Sequence, residues 1–512
     1  MQLKRIVILL VVITLLSVGC KNNKSNVTRT KDDTDAISTQ LKQQEKDYSV
    51  SKDYSDKTRL VWVTSPGIEQ NTSQIYKEFN RRLVEMGYDF VVDFQTVTEE
   101  GGDYQQAIRD MKQKGNQADL LYSDLGFGGQ YSTTYDDCVR DGLYEPLNSY
   151  FETKQGKQFY NGKDPRQWKS VEINDTCYGI DNRDILGYST YFLFNKKLLD
   201  KYQIDLSSFD GNIQNLEWML QKVYEGEKSN KSFTVFPIEV YINNLSCYDY
   251  VTNAVGVRLG TVKEGALNIF DDDNMTQYFT AIKKYHDLGY LRSTDGIPNN
   301  FFVTMNTGLG PESYSKLYFK EIYIDQQGQP IDLVPVKLSD AYMVNLYNGV
   351  TGIASWSQHK KEAFELLTLL NSDTELANLL VYGMNGTNYE LVDGKVIPNK
   401  NAFVSARNTS LLPNLQIIYP NEIEPLTKER DLKEYQKTIK ESPILGFHFN
   451  PEKVINEIKA TDAIVNKYSM LWIGEEDNLE VTLKQLNIQL KKAGIDKVVS
   501  EMNKQLGVWK KG

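Results

Sequence analysis

The sequence contains few of the side chains on which enzymes and metal proteins usually depend. Only 3 histidines and 4 cysteines occur among its 512 residues. His286, His359 and His448 are far apart in the sequence and have no ligand-like spacing. The Walker loop, the Gly-x-Ser-x-Gly elbow and the His-Glu-x-x-His motif are missing as well. The sequence therefore predicts a protein that is not an enzyme and has no cofactor, no metal and no catalytic residue.

The cysteines do not suggest a disulfide framework. Besides Cys20 there are Cys138, Cys177 and Cys247, an odd number that cannot be fully paired within one chain. No Cys-x-x-Cys spacing is present either. Two interpretations stay open, which are buried thiols without chemistry and a single disulfide.

Acidic residues are abundant, but they form no recognisable catalytic or calcium pattern. The formal charge of −10 argues against nucleic acid as a partner. The run Asp271–Asn274 lacks the glycine and the closing glutamate of a calcium loop, so we interpret it as a helix-capping loop. Glycoside hydrolysis by a pair of carboxylates stays open as an alternative, since any two acidic residues could converge in space.

Only one long apolar run is present, and it lies at the start of the chain. It extends from Ile6 to Val18, follows Lys4 and Arg5, and leads through Gly19 into Cys20. This layout is typical of an export signal, predicted here over 1–19, with a lipobox whose cysteine receives a lipid. Lipid on Cys20 would hold the chain at the outer face of a membrane. The alternative is a plain signal peptide in which Cys20 is incidental.

The segment that follows is polar and differs from the rest of the chain. Lys21–Lys57 contains no Trp or Phe, which predicts a flexible stalk over 20–57. A surface helix around Ile37–Lys46 is the alternative. The remaining residues are too many for one hydrophobic core and predict two or three domains.

Strand and helix patterns alternate in the first part of this body. Strands are predicted at Arg59–Val63, Tyr88–Phe94 and Ala118–Tyr122, with helices that begin near Ser73 and Tyr104. This order is typical of a parallel sheet in the α/β class.

Later segments add further elements. Ser372 has the capping-box spacing to Glu375, which predicts a second helix after the first in Lys360–Gly383. Two C-terminal helices separated by Gly494 are predicted to face the core, the second with Val498 through Trp509. Other predicted strands and helices are Cys177–Ile180, Tyr191–Phe194, Leu216–Val223 and Met275–Leu288.

Tyrosine is the most informative residue type that is present in excess. The chain has 32, and a tyrosine offers a flat apolar face to a sugar ring and a hydroxyl to its oxygens. Most of them belong to a mixed core in the plainer interpretation. Candidates in loop-like settings are Tyr122, Tyr131, Tyr188, Tyr241, Tyr314, Tyr342 and Tyr347.

Several motifs together resemble the extracellular solute-binding proteins of ABC importers, the group that includes maltose-binding protein. They are Arg59–Val63, Gln117–Asp124, Gly128–Tyr131, Asp141–Leu147, Trp168–Val171, Tyr178–Ile180 and Phe194–Leu199. The segments Glu362–Leu370, Glu375–Gly383 and Asn388–Leu391 resemble a lipoprotein subfamily with a C-terminal extension, here Leu445–Phe449 through Leu506.

The resemblance implies a fold of two α/β lobes, type II, joined by a hinge of crossing segments, with ligand bound in the cleft between them. Lobe 1 is expected to comprise 58–180 and 343–415, and lobe 2 to comprise 181–342 and 440–512. The segment 416–439 is expected to cross between them.

The resemblance also implies which residues touch the ligand. Loops after strands one and three contribute Ser65, Ser123, Asp124 and Phe127, and the first crossing contributes Asp181, Asn182 and Arg183. Aromatic positions of the second lobe correspond to Tyr241, Tyr314, Phe447 and Phe449. Maltose-binding protein has Trp at several of these positions, so a maltose ligand is in doubt.

The function implied is that of a lipid-anchored receptor, a monomer, that captures an oligosaccharide and delivers it to an ABC permease. Capture of another solute such as an oligopeptide is the alternative within the same fold. A surface glycoside hydrolase or an adhesin is the alternative from a different class.

Overall fold

The computed structural model describes the chain in separate stretches. The described residues are 54–64, 72–97, 104–123, 134–181, 187–238, 247–261, 265–294, 296–344, 349–399, 402 and 413–510. They form two compact units, the first from residues within 1–125, 134–184 and 347–429, and the second from residues within 185–346 and 430–512.

The regular elements are numbered in chain order. The strands are β1 Thr58–Thr64, β2 Phe90–Thr96, β3 Leu120–Ser123, β4 Glu172–Ile173, β5 Thr176–Cys177, β6 Ile180–Asp181, β7 Tyr188–Asn195, β8 Phe236–Ile238, β9 Tyr248–Tyr250, β10 Val255–Arg258, β11 Leu267–Asn268, β12 Leu291–Ser293, β13 Val303–Leu309, β14 Leu333–Lys337, β15 Tyr342–Met343, β16 Val350–Ile353, β17 Tyr389–Val392, β18 Lys395–Pro398 and β19 Lys440–Glu441. The helices are α1 Ser73–Glu85, α2 Tyr104–Lys114, α3 Thr134–Arg140, α4 Asn148–Phe151, α5 Lys154–Gly162, α6 Pro165–Val171, α7 Lys196–Lys201, α8 Glu217–Glu227, α9 Asp273–Asp287, α10 Glu312–Ile322, α11 Lys360–Leu370, α12 Thr374–Tyr382, α13 Lys428–Gln436, α14 Ile455–Lys467, α15 Leu479–Ala493 and α16 Ile495–Trp509.

The first unit is built on a five-stranded sheet with the order β2-β1-β3-β16-β6. β1 pairs in parallel with both β2 and β3, which confirms the predicted parallel sheet. The helix predicted near Ser73 is α1, which buries Ile75, Phe79 and Leu83 against this sheet. These three residues recur at helical spacing, so a single face of α1 is apolar.

Strand β16 enters this sheet from a distant part of the chain. It runs antiparallel to both of its neighbours, β3 and β6. The predicted strand Cys177–Ile180 is instead divided between β5 and β6, and β6 contributes only two residues to the sheet edge. The first unit therefore needs residues before 184 and after 347 to complete one sheet.

The two predicted helices in Lys360–Gly383 are α11 and α12. The prediction that Ser372 caps the second helix is wrong, because Asp373 is the N-cap and its side chain accepts a hydrogen bond from the Leu376 N–H at 2.8 Å. Ser372 instead donates its hydroxyl to the Thr368 carbonyl at the end of α11. Gly383 ends α12 with a φ of +84°, as predicted.

The second unit is centred on β7, which confirms the strand predicted at Tyr191–Phe194. β13 and β14 both pair with it, each in antiparallel orientation. Phe192 and Phe194 are fully buried and pack against Phe209. Helix α9, predicted at Met275–Leu288, covers another side of the same core.

The C-terminal extension packs into the core of the second unit. α15 and α16 are the two predicted helices, and Gly494 separates them at a φ of +99°, a conformation that glycine adopts without strain. Leu490, Val498 and Met502 are buried, whereas Trp509 is 36% exposed and is only partly the core residue that was predicted.

Asn503 fastens this extension to the rest of the unit. Its side chain accepts a hydrogen bond from the Ala266 N–H at 2.8 Å and donates one to the Ala266 carbonyl at 2.9 Å. The side-chain amide of Asn503 therefore forms the same pair of hydrogen bonds that a neighbouring β-strand would form with the Ala266 backbone, and Ala266 is only 5% exposed.

None of the helices in the described ranges combines the length and the apolar character that crossing a bilayer requires.

A buried carboxyl group joins the same core. Asp249 on β9 is 5% exposed, and its Oδ2 lies 2.5 Å from the Ser442 hydroxyl. Burial raises the pKa of the Asp249 carboxyl to about 7, although the hydroxyl favours the charged form.

Replacing Asn503 should destabilise the second unit. In Asn503→Ala, both polar groups of Ala266 lose their partner in a nearly dry environment, so we expect a loss of about 1–3 kcal/mol in the free energy of unfolding. Urea unfolding followed by circular dichroism measures this loss. Lys504→Ala, at the exposed neighbouring position, is the control and should change little. Equal stability of the two variants would contradict the role assigned to Asn503.

The Asp249 carboxyl should make stability fall as pH rises. Between pH of about 4 and 7 the folded protein keeps a proton that the unfolded chain releases, so the unfolding free energy decreases through this range. Asp249→Asn stays neutral, and its stability relative to the natural chain should therefore rise by up to about 4 kcal/mol across the range. Unfolding curves at each pH give the slope, with exposed Asp477→Asn as the control. The same slope in Asp249→Asn and the natural chain would disprove the assignment.

Candidate ligand-binding site

Most of the residues predicted to touch a ligand lie outside the part of the chain that the structure describes. They are Ser65, Asp124, Phe127, Asn182, Arg183 and Tyr241, and the predicted lipid anchor Cys20 lies outside it as well. These assignments stay predictions. The described candidates are Ser123 and Asp181 in the first unit and Tyr314, Phe447 and Phe449 in the second.

Ser123 and Asp181 occupy the same rung of the first sheet. Val350 of β16 is the partner of Ser123 on one side and of Asp181 on the other. Ser123 is the last residue of β3, at the carboxyl end of a parallel strand, and Asp181 is the last residue of β6. In α/β sheets, ligands bind outside the carboxyl ends of parallel strands. The structure therefore brings two predicted residues together at the edge where such sites form.

The Ser123 side chain faces into the protein in this structure. It is fully buried, and its hydroxyl donates to the Val350 carbonyl at 3.2 Å. The Tyr144 hydroxyl in turn donates to Ser123 Oγ at 2.8 Å. The Ser123 side chain thus connects the end of β3 to Val350 of β16. This hydrogen bond holds the backbone in position directly before the residues predicted to contact the ligand.

Tyr144 is a residue whose importance the sequence did not reveal. It is 3% exposed, and burial raises the pKa of its hydroxyl well above the usual value, so that the hydroxyl stays a neutral donor. A Cβ at Gly352 would lie 2.6 Å from the Tyr144 ring, so only glycine leaves room for it. The signal that could have found this contact is Gly352 in the middle of an apolar strand.

Asp181 is 1% exposed, and its backbone carbonyl accepts a hydrogen bond from Lys163 Nζ at 3.1 Å. Because it is buried, Asp181 is part of the packed sheet and does not lie on an open surface.

Tyr122, which was predicted to be an aromatic residue in a loop, lies in β3 and is 2% exposed. The prediction of a loop setting is therefore wrong for this residue.

In the second unit, Tyr314 and the two phenylalanines have different surroundings. Tyr314 is half-buried on α10, and its hydroxyl donates to Asp431 at 3.3 Å. Phe447 and Phe449 are 6% and 5% exposed, with ring centroids 6.5 Å apart, and Phe447 also contacts the Trp509 ring. The structure brings Phe447 and Phe449 together as members of the hydrophobic core.

The acidic loop before α9 has the capping role that its sequence predicted. Asp272 is the N-cap, and its carboxylate accepts a hydrogen bond from the Asn274 N–H at 2.7 Å. The same carboxylate pairs with Arg258 at 2.5 Å. Across the described ranges, no group of histidine, cysteine, aspartate and glutamate side chains is arranged to hold a metal ion.

The three cysteines in the described ranges carry free thiols. Burial raises the pKa of Cys138, Cys177 and Cys247 to about 12, which leaves each of them a neutral thiol at physiological pH. The interpretation as buried thiols is confirmed for Cys138 and Cys177, and Cys247 is also free although it is only partly buried, so these three cysteines form no disulfide with one another.

The sequence of this chain is similar to known proteins. Residues 443–511 match the family described as "Domain of unknown function (DUF3502)", and this range includes the whole of the predicted C-terminal extension. A protein of Streptococcus pneumoniae serotype 4 (strain ATCC BAA-334 / TIGR4), named "carbohydrate ABC transporter substrate-binding protein", is 27% identical over 425 residues. This match spans 79% of the present chain and 82% of the relative.

Solved structures show the same fold. The crystal structure of the N-glycan transport solute binding protein NgtS from Streptococcus pneumoniae matches with a TM-score of 0.71 at 23% identity, and the match covers 88% of this chain and 98% of NgtS. The structure of NgtS in complex with Man1GlcNAc matches with a TM-score of 0.63 at 23% identity, over 89% of this chain and all of the other. At this identity the likeness establishes the architecture. The predicted resemblance is thereby confirmed: this chain has the two-lobe α/β fold of the solute-binding proteins of ABC importers and is similar to their carbohydrate-binding members.

Proposed function

We propose that this chain is a lipid-anchored extracellular receptor of an ABC importer that captures an oligosaccharide and delivers it to a membrane permease. It acts as a monomer and carries out no reaction on its ligand. The observation that carries the proposal is the 27% identity to a carbohydrate transporter's substrate-binding protein across 82% of that relative.

The ligand class rests on the same likeness together with the chemistry of the sequence. NgtS has been crystallised with Man1GlcNAc and with Man5GlcNAc. Glycans that contain mannose and N-acetylglucosamine are therefore the first ligands to test. A chain with 32 tyrosines has ample side chains that combine a flat apolar face with a hydroxyl.

The proposed site comprises the residues that the family resemblance assigns. It includes Ser65, Asp124, Phe127, Asn182, Arg183 and Tyr241, with the backbone at Ser123 and Asp181 as its support. In the other lobe it includes Tyr314, with the buried rings of Phe447 and Phe449 as support from the core. The pairing of Val350 with both Ser123 and Asp181 supports this assignment, because it aligns the ends of β3 and β6 on either side of β16, directly before Asp124 and Asn182 in the sequence. The proposed lobes comprise 58–180 with 343–415 and 181–342 with 440–512, joined through 416–439. At the junctions the described contacts assign Asp181 to the first unit and Met343 to the second.

The purified chain should bind one glycan and leave it intact. We expect Man1GlcNAc, Man5GlcNAc or a related oligosaccharide to raise the melting temperature and to bind with a Kd of about 1 μM or tighter, which is about −8 kcal/mol. Thermal-shift screening against glycans and oligopeptides, followed by calorimetry, measures this, and mass spectrometry of the recovered ligand checks for hydrolysis. If only peptides stabilise the protein, the proposal that its ligand is an oligosaccharide is wrong. If the chain releases reducing ends from the glycan, the proposal that it is a receptor without catalytic activity is wrong.

Substitutions at the proposed site should weaken binding without unfolding the protein. Asp124→Ala, Arg183→Ala and Tyr241→Ala each remove a polar or aromatic group, so each should raise the Kd tenfold or more, about 1.4 kcal/mol. The melting temperature of the free protein should stay within a degree or two. Met86→Ala, at a site 46% exposed after α1, is the matched control and should bind normally. Normal affinity in all three site variants would show that the ligand binds elsewhere on the protein.

The lipid anchor should depend on Cys20 alone. In cells of a bacterium that produces the chain, Cys20→Ser should shift the protein from the membrane fraction to the medium and abolish labelling by a palmitate analogue. Cys138→Ser, at a buried thiol, should remain anchored. Membrane association and labelling that persist in Cys20→Ser would show that Cys20 is incidental.

A further inference from the structure

Three acidic side chains lie where the C-terminal extension meets the earlier part of the second unit. Asp249 of β9 contacts Ser442, which directly precedes the residues matched by DUF3502. Asp462 lies on α14, and Glu476 lies between Trp472 and α15. We call Asp249, Asp462 and Glu476 the seam carboxyls, because each lies between the extension and an earlier segment of this unit.

Glu476 is buried without a hydrogen-bond donor. It is 6% exposed, and within the described residues neither of its carboxyl oxygens has a hydrogen-bond partner. The loop that carries it packs closely on α9, since a Cβ at Gly474 would lie 2.8 Å from the His286 Cβ. An ionised carboxylate in this place would lose its hydration without gaining donors. Burial therefore raises the pKa of the Glu476 carboxyl and favours its neutral form.

The charged groups that act on Glu476 lie on α9. Lys283 and a protonated His286 favour the ionised carboxylate, whereas Asp287 disfavours it. Lys283 also forms an ion pair with Asp287, so its attraction is divided between two carboxylates. These effects are smaller than that of burial, so the pKa of Glu476 stays above its ordinary value.

The other two seam carboxyls are in the same condition. Asp462 Oδ1 is buried and has no hydrogen-bond partner within the described residues, and the Asn253 N–H donates to the carboxyl group. Burial raises the pKa of Asp462 to about 7, the same value as for Asp249. In both, burial is the larger cause, and the opposing cause is a hydrogen bond from an uncharged group, the Asn253 N–H or the Ser442 hydroxyl.

We propose that the seam carboxyls make the docking of the C-terminal extension sensitive to pH: the extension is held tightly when they are protonated and loosens when they ionise. With the extension docked, each carboxyl keeps a proton in a dry place. When the extension lifts away, the carboxyl reaches water and releases that proton above about pH 4. Opening thus releases protons, and a rise in pH favours it. This property of the fold is independent of which solute the chain binds.

The remaining contacts of the extension keep it docked over the whole pH range. Leu490, Val498 and Met502 are buried in the core of the unit, and the hydrogen bonds between Asn503 and Ala266 do not titrate. Proteins open locally in cooperative segments whose opening requires less free energy than complete unfolding. The seam carboxyls therefore change how often the extension opens, while the core determines that it closes again.

Hydrogen exchange measured by mass spectrometry tests this property on the full-length chain. Exchange is followed between pH 5 and pH 7.5 and corrected for the pH dependence of unprotected amides. Peptides from α14 and α15 report on the extension, and peptides from α1 report on the first unit. We expect the protection of α14 and α15 to fall at least about tenfold across this range, because docked carboxyls with a raised pKa oppose opening less as pH rises. Protection of α1 should change less than about threefold.

The variant that combines Asp249→Asn, Asp462→Asn and Glu476→Gln is neutral at these positions at every pH. Its extension should lose less than about threefold in protection over the same range. The matched control combines Glu452→Gln, Glu475→Gln and Asp477→Asn, three exposed carboxyls of the extension, and should keep the dependence of the natural chain. Circular dichroism checks that each variant is folded. If the triple variant does not fold, the three single variants replace it, and each should reduce the dependence in part.

Two kinds of result would overturn the proposal. One is a natural chain whose α14 and α15 have the same protection at pH 5 and pH 7.5, or whose α1 loses protection to the same extent as the extension. The other is a pH dependence that persists undiminished when the seam carboxyls are replaced, in the triple variant or in all three single variants.

Discussion

The first unit depends on the hydrogen bonds that β16 forms along both of its edges. β16 lies between β3 and β6, and the Ser123 hydroxyl reaches a Val350 carbonyl that is 227 positions further along the chain. Neither β3 nor β6 would have a partner on that side without it. The close approach of Tyr144 to Gly352 belongs to the same junction, so β16 determines how the strands are arranged at the carboxyl end of β3. In α/β sheets generally, this end of the parallel strands is where ligands bind.

The second unit is completed in a similar way by the end of the chain. Core residues of β7 and α9 are covered by helices that come after residue 450, and Asn503 connects the last helix to the Ala266 backbone. Residues matched by DUF3502 thus supply part of the hydrophobic core. The extension is therefore an integral part of this unit and does not form a separate domain.

Local patterns in the sequence predicted much of the fold. The spacing of Ile75, Phe79 and Leu83 predicted α1, and Gly494 correctly separated the last two helices, because both signals depend only on neighbouring residues. The pairing of β16 with β3 and β6 was beyond such reasoning, since it joins distant segments. The β17–β18 hairpin was missed although Asp393-Gly394 is a strong turn signal. For the site, the family resemblance named residues, but only the structure revealed that Ser123 is held by Tyr144.

The free thiols of Cys138, Cys177 and Cys247 have a consequence for what holds the fold together. Small proteins that cannot build a large hydrophobic core commonly rely on disulfides for stability. In the described residues hydrophobic packing holds the core together without a cross-link among these three cysteines, and Cys138 and Cys177 are buried in that core while Cys247 is only partly buried against its neighbours. The packing of the described residues therefore does not depend on a disulfide, and a reducing agent has no cross-link among these three cysteines to break.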